Sequence, residues 1–499
     1  MTEDPLTPST HDIGARARTA VGWRALSQFS SQGIQIVVGI ILARLLMPSD
    51  FGIIGMAGIV TGLAGVFQDL GFGQALVQRA ELRPEHSRSA FWMTLIMGTL
   101  LYTALYFGAP WAGEYFRDER MVPVLRLMAL SFLISPFGVV PRSLLQRELD
   151  FRKPFYAGLA GTIANGGVGI TMALLGYGYW SLVWALLVSS AVGTIALCIV
   201  TRYAPPVVPS LRGAKELVGF GAGVTGVSVG YYIASQVDYF VIARRLSADA
   251  LGLYTRAFSF VTYPALLAGA ASPVFFPSFC LMQQDQGRMR SAYGRLTTLL
   301  AMVFFPPLAV ATVAAPELIP TIFGEQWKPS VAPAQVLMIV GLLKITSSAA
   351  DGVIKASGRV YGQAWRQFVY GGLVAAGTWF AAPHGIGAVS LAVVVASMVH
   401  YTLIGHLVWL AIGFGAADYG RAFRGPLIVT LGSSGLALLG RWLALSMGLH
   451  APAVLVLTLF PSASAAYLLT VRLPLGEMRG SVGDLRRCLP WSEPRRTAR

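Results

Sequence analysis

The sequence predicts an all-α, polytopic integral membrane protein of about fourteen transmembrane helices, and three observations predict it. Of 499 residues, 55% are hydrophobic and only 12% are charged, with a mean hydropathy of +0.62, whereas about 25% of a soluble domain is charged. That supply of charge cannot cover a soluble protein of this length, so most of the chain is expected to lie in lipid. Apolar stretches long enough to cross roughly 30 Å of hydrocarbon recur from one end to the other. Finally, Lys and Arg concentrate in every second connection, which is the pattern of a chain that crosses a membrane repeatedly.

In chain order the apolar stretches run approximately 22–43, 51–76, 90–112, 121–141, 155–175, 178–200, 217–243, 252–282, 290–314, 331–354, 361–382, 386–411, 426–447 and 450–471. Backbone polar groups in lipid must be satisfied within their own segment, so each stretch reads as a helix. Residues 1–21 are polar and contain acids, and are expected to stay as a cytoplasmic tail rather than to be cleaved as a signal peptide. In the first span, Arg24, Ser27, Gln28, Ser30, Ser31, Gln32 and Gln35 dilute the opening half, but Ile34 to Leu46 is strongly apolar. Pro264, Pro273 and Pro277 in the eighth span, with Pro306 and Pro307 in the ninth, predict kinks and breaks.

Connections expected on one membrane face carry 28 basic residues, against seven on the other. The bias alternates at each crossing, which predicts cytoplasmic termini and an even number of spans. It also accounts for most of the formal net charge of +15 without a nucleic-acid partner. The opposite face has one acidic cluster, GEYFRDER at 113–120, which reads as a solvated turn.

An internal repeat organises the spans. Residues 43–52 read ARLLMPSDFG and residues 243–252 read ARRLSADALG, so Ala43, Arg44, Leu46 and Gly52 recur two hundred positions later. Six spans separate the copies, which predicts two parallel six-helix lobes, an arrangement used by transporters. The expected division is an N-lobe over 22–200, a cytoplasmic linker over 201–216 and a C-lobe over 217–411. A cytoplasmic loop over 412–425, two further helices over 426–471 and a basic tail over 472–499 follow.

Ionisable groups inside a span must face a cavity, pair, or snorkel. Asp69 and Asp238 fit either ion coupling or a structural pair, Asp69 with Arg79 and Asp238 with Arg244 or Arg245. Arg256 and Lys344, the latter followed by Ser348 and Asp351, are candidates for a cationic cavity, and Asp351 joins the ion-coupling or pairing set. Arg24, Gln28, Gln32 and Gln35 recur at spacings of four, four and three, which places them on one helix face. That stripe suits a cavity lining or a polar contact between helices. Span 7 contains GFGAGVTGVSVG, whose small residues permit close packing or bending.

Several chemistries are excluded by motif. No GxxxxGK[ST] phosphate loop occurs, so no intrinsic ATPase is expected. There is no HExxH, the six histidines are dispersed, and His400 and His406 are not spaced to share a ligand face. Cys198, Cys280 and Cys488 are too few and too scattered for a disulfide framework or a metal site. No cofactor is expected.

Five segments carry a family resemblance: VGWRALSQFSSQGIQIVVGIILARLLMPSDFGIIGMA at the first span, DLGFGQALVQR at 69–79, RSLLQRELDFRK at 142–153, VIARRLSADALGLYTRAFSF at 241–260 and IFGEQWKPSVAPAQVLMIVGLLK at 322–344. With these the chain resembles bacterial lipopolysaccharide and exopolysaccharide flippases of the multidrug/oligosaccharidyl-lipid/polysaccharide exporter superfamily, in the group similar to the colanic acid exporter. The resemblance implies alternating access between inward and outward states. A polyprenyl-pyrophosphate-linked sugar repeat unit would pass from the cytoplasmic to the periplasmic leaflet of the inner membrane, with H+ or Na+ as coupling ion. A polysaccharide polymerase and a chain-length regulator are the implied partners. A multidrug or small-molecule cation antiporter, a peptidoglycan-lipid-precursor flippase and a non-transport scaffold of an envelope-synthesis complex share much of the pattern and stay as alternatives.

Overall fold

The computed structural model describes residues 10–69, 72–78, 83–148, 150–206, 208, 214–269 and 272–472. Among these residues there is no strand, and every one of the fourteen apolar stretches falls on helix. Among the described residues eight helices are long and apolar enough to cross a membrane, and a bent pair raises that to nine. The chain divides into two compact units, Met1–Gly252 and Leu253–Arg499.

The N-terminal unit opens with α1 (Thr10–Leu45), α2 (Pro48–Asp69), α3 (Phe72–Gln78) and α4 (Pro84–Phe116). The apolar portion of α1 runs over Phe29–Leu45 and contains Gln32 and Gln35. At the end of α4 the backbone turns through Arg117 in the left-handed conformation, and Asp118 then pairs with Arg120 at 2.8 Å. This is the turn expected of the 113–120 cluster. The fourth stretch, expected as one span, is instead divided into α5 (Met121–Ala129), α6 (Ser131–Ile134) and α7 (Pro136–Arg147), with a 45° bend at Ser135. Ser135 itself keeps helical geometry, at φ −62° and ψ −31°, so the bend goes with Pro136, which has no N–H to continue the ladder. Then come α8 (Arg152–Leu174) and α9 (Tyr179–Thr201), packed along each other, with α1 against α8. The last full helix of the unit, α10 (Ala214–Arg245), lies against α2, α3 and α4.

The repeat detected in the sequence has a structural counterpart. α1 ends at Leu45 and α2 begins at Pro48, while α10 ends at Arg245 and α11 (Ala248–Gly269) begins two hundred residues after Pro48. Both turns close with the same bond, Leu46 N–H to the Leu42 carbonyl and Leu246 N–H to the Ile242 carbonyl, each 2.9 Å. The caps are exchanged: Asp50 accepts from Met47 N–H at 2.9 Å, whereas Ser247 accepts from Ala250 N–H at 3.2 Å. The copies also touch reciprocally. A Cβ on Gly52 would stand 1.7 Å from the Ala248 carbonyl oxygen, and one on Gly252 would stand 1.9 Å from the Pro48 carbonyl oxygen. Residue i of one copy meets residue j of the other and the reverse, as at a two-fold axis.

The C-terminal unit continues α11 and adds α12 (Ser272–Leu281), α13 (Gln286–Phe323), α14 (Val331–Ala356), α15 (Val360–Ala381), α16 (Ile386–Ile412), α17 (Ala416–Ser446) and α18 (Ala451–Arg472). A short 3-10 turn, Glu325–Ser330, joins α13 to α14. The expected break at Pro306 and Pro307 is overturned, because α13 runs through both of them and through Pro316 and Pro320. Packing against α14, α17 and α18 holds α13 as one helix, and membrane helices tolerate such prolines where neighbours support them. The buried core of this unit joins Tyr293, Leu300, Met338, Ile345, Val353, Leu407 and Val408 of α13, α14 and α16.

Candidate functional site

The intramembrane polar groups predicted from sequence occupy quite different settings. In the N-terminal unit Asp238 is buried within α10, 5% exposed. Its neighbour Arg244 stands over the Tyr115 ring at 5.0 Å, where Phe116 and Phe240 complete an aromatic group. On α1, Gln32 is half-buried and Gln35 exposed. The side chains of Arg24, Gln28 and Asp69, and all of Arg79, lie outside the described residues. Arg126 donates from Nε to the Tyr106 carbonyl at 3.1 Å and covers the Tyr106 ring at 4.7 Å.

In the C-terminal unit Arg256 is buried, 8% exposed, with its guanidinium 5.0 Å from the Phe323 ring and 5.1 Å from the Trp327 ring. An arginine between two aromatic faces is held by quadrupole attraction, and desolvation strengthens that attraction. Gly324, at φ 108°, makes the turn that brings Trp327 back over α13's end. Lys344 differs from Arg256 in being exposed, with Nζ 4.7 Å over the Phe258 ring. Phe258 follows Arg256 by two residues, so the two predicted cations lie at one level of α11 but on different faces of it. Ser348 turns its hydroxyl back to the Ile345 carbonyl at 2.7 Å. Asp351 accepts from Lys355 Nζ and from Gln363 Nε2, each at 2.7 Å, and so ties α14 to α15.

Sequence reasoning missed four constellations. Arg366 is buried inside α15 at 6% exposure. It donates to the Leu403 and Gly362 carbonyls at 3.0 and 2.6 Å and stands 3.3 Å from His406 Nδ1. Arginine has no acceptor, so His406 Nδ1 presents its lone pair. Arg441 makes a forked pair with Glu317 across α17 and α13, with contacts of 2.8 to 3.1 Å. Asp418 caps α17 at Gly415 N–H and holds Arg290 at 2.6 Å together with Arg421. Tyr232 of α10 donates to the Ile59 carbonyl of α2 at 3.0 Å, filling a slot beside Gly62. Only the three-residue spacing of Asp418 and Arg421 gave a local signal for any of these. Among the described residues no group of three or more His, Cys, Asp or Glu is placed to hold a metal.

This all-helical arrangement defines a polytopic membrane transporter fold. A family model described as polysaccharide biosynthesis protein matches residues 41–332. The lipopolysaccharide biosynthesis protein WzxC of Escherichia coli K12 is 26% identical over 359 residues, covering 70% of this chain and 72% of that protein. The succinoglycan biosynthesis transport protein ExoT of Rhizobium meliloti is 30% identical over 345 residues, 68% of each chain. Among solved structures, the lipid II flippase MurJ in an inward closed conformation superposes with a TM-score of 0.74 at 11% identity, covering 92% of this chain and 99% of that one. An inward-facing multidrug transporter of the MATE family gives 0.60 at 14% identity, covering 78% of this chain and 98% of that one. The chain belongs to the polysaccharide biosynthesis family, within the multidrug/oligosaccharidyl-lipid/polysaccharide exporter superfamily.

Proposed function

We propose that this protein is a flippase that moves a polyprenyl-pyrophosphate-linked oligosaccharide repeat unit from the cytoplasmic to the periplasmic leaflet of the inner membrane, by alternating access and without an ATPase of its own. The observation that carries the reading is the family match over 41–332, which covers most of the first compact unit and reaches into the second, joined by relatives named for lipopolysaccharide and succinoglycan synthesis that align over about two thirds of the chain. The likeness to MurJ and to multidrug transporters supports the fold alone, so it does not favour lipid II or a drug as cargo.

In this reading the two lobes are 22–200 and 217–411, both termini are cytoplasmic, and a polymerase and chain-length regulator receive the product. Lys344, exposed midway along α14, meets the pyrophosphate or acidic sugars, and Arg24, Gln28, Gln32 and Gln35 of α1 supply polar donors. Arg256 acts through its aromatic box, which fixes α11 beside Lys344. Asp69 or Asp238 takes H+ or Na+, and one charge moved through 100 mV delivers about 2.3 kcal/mol, enough to bias a two-state carrier without ATP.

The test is leaflet exposure of a lipid-linked glycan from the source organism in proteoliposomes, with and without an ion gradient. Protein-dependent exposure, abolished in Lys344→Ala while the melting temperature is unchanged, is expected. Absence of translocation for several native glycans by folded protein in sealed vesicles would overturn the assignment.

A further inference from the structure

The C-terminal unit holds an imidazole that the flippase reading does not use. His400 stands in α16, half-buried, with its ring 4.7 Å from the Tyr370 ring of α15. The Tyr370 hydroxyl is 3.4 Å from that of Ser397, one turn before His400 on α16, so the phenol lies along the same face as the imidazole. Nε2 of His400 is buried and, among the described residues, has no hydrogen-bond partner. Such atoms are few in native proteins, and each needs a reason to persist.

Lys344 supplies the charge that this imidazole meets. α14 packs on α16, where Ile345 and Ile404 share one core cluster. Lys344 and His400 each lie twelve residues before the end of their helices, Ala356 and Ile412, and the charge of the lysine acts on the ring. Around them Tyr370, Tyr401, Tyr419 and Tyr293 are phenols, which are uncharged at neutral pH. Nearer the helix ends the charged groups are already engaged. Asp351 is held by Lys355 and Gln363, and Asp418 by Arg290 and Arg421. Arg366 donates to the Leu403 and Gly362 carbonyls beside His406. An ammonium opposes a second positive charge on a neighbouring imidazole, and an anion seated on that ammonium removes the opposition.

We propose that His400 is a proton-binding site linked to anion binding at Lys344: when a diphosphate occupies the lysine, the imidazole takes a proton from water and adds a second positive charge to the site. The proposal rests on the flippase reading for the anion at Lys344, and this proton is separate from the ion assigned to Asp69 or Asp238. Histidine ordinarily changes charge between about pH 5 and 8, so the charge facing the headgroup follows pH in that range. The linkage is reciprocal: the proton favours the anion by the factor with which the anion favours the proton. Diphosphate binding is therefore tighter at low pH and takes up protons.

UDP-glucose is a suitable probe, because its diphosphate is substituted at both ends, as in a lipid-linked sugar, and keeps its charge over this range. Its binding to the full chain in phosphatidylcholine nanodiscs is measured by titration calorimetry in buffers of different ionisation enthalpy. Affinity is expected to rise roughly tenfold from about pH 8 to about pH 5, with net proton uptake. His400→Gln, or His400→Phe, which keeps a ring against Tyr370, should bind equally at both pH values. His406→Gln, at the imidazole beside Arg366, should keep the pH dependence. With 13C-labelled histidine in the unsubstituted chain, the resonance that the His400 variants lack should move toward the imidazolium position when UDP-glucose is added near neutral pH. Absence of binding, equal affinity at both pH values, a pH dependence kept by the His400 variants, or a His400 resonance indifferent to the diphosphate would overturn the proposal. Proton-linked binding without flipping of any lipid-linked glycan would leave this site standing and remove the flippase reading, whereas flipping with binding indifferent to pH would do the reverse.

Discussion

Alanine at Gly52 would place its Cβ 1.7 Å from the Ala248 carbonyl oxygen, and alanine at Gly252 would place its Cβ 1.9 Å from that of Pro48. Real Cβ atoms essentially never approach a neighbour closer than 3.0 Å, so relief requires a backbone displacement of about 1.3 Å at the first site and about 1.1 Å at the second. The obstacles are backbone atoms of helix ends and cannot rotate away as a side chain would. Overpacking of this kind costs about 1–3 kcal/mol, which is roughly a 5- to 150-fold shift between the packed and the parted arrangement. In purified protein heated at one fixed scan rate, each single variant should melt roughly 2–12 °C below the parent. The double variant should lose less than the sum, because parting the two turns for one methyl relieves the other. Gly58→Ala and Gly65→Ala are controls on the same α2, as their Cβ would meet nothing within 4 Å. They should be neutral or gain about 0.4–1 kcal/mol from the stiffer unfolded chain. Single variants that melt with the controls, or a strictly additive double variant, would refute reciprocal contact of the repeats.

Four further substitutions test contacts within one unit or the other. Tyr232→Phe should cost only about 1 kcal/mol in the same melting assay, since Ile59 and Gly58 keep their helical bonds when the phenol is lost. Glu317→Gln and Arg441→Gln should each cost about 2–3 kcal/mol, below the full penalty for stripping a deeply buried pair because Arg441 is 30% exposed; a double-mutant cycle should recover a coupling, and zero coupling would show the fork to be idle. Arg366→Lys should destabilise the unit, because one ammonium cannot reproduce the fork to Leu403, Gly362 and His406; a variant as stable as the parent would remove Arg366 as the tie between α15 and α16.

What could be read from the chain follows the range of the physics involved. Hydrocarbon thickness fixes the length of an apolar run, so the fourteen stretches coincide with helix even where their ends moved. The repeat was legible because Ala43, Arg44, Leu46 and Gly52 are restrained together at one turn, and an offset preserves them. The pair between Asp351 and Lys355 is similarly local, four residues apart on one helix face. By contrast, Glu317 and Arg441 are separated by 124 residues, and Arg256 finds Trp327 only because Gly324 reverses the chain. No spacing rule encodes such meetings. The prolines misled in both directions: Pro136 divides a span, while Pro306 and Pro307 leave α13 continuous, since the outcome depends on what packs around each ring.

The fates of the two predicted cations of the C-terminal unit argue for a division of labour. Arg256 and Lys344 each stand over an aromatic ring, yet one is 8% exposed and the other belongs to the exposed residues. A guanidinium enclosed by Phe323 and Trp327 has already exchanged water for ring faces, so little of its field is available to a passing ligand. The Lys344 ammonium is exposed, with the Phe258 ring 4.7 Å beneath it, and is the more accessible of the two cations. Truncating Arg256 should therefore be read in stability, with melting falling in Arg256→Gln, while Lys344→Ala should be read in transport. If Arg256→Gln left melting intact and abolished flipping, the enclosed cation would be the one that meets the substrate, and the assignment of roles along α11 would reverse.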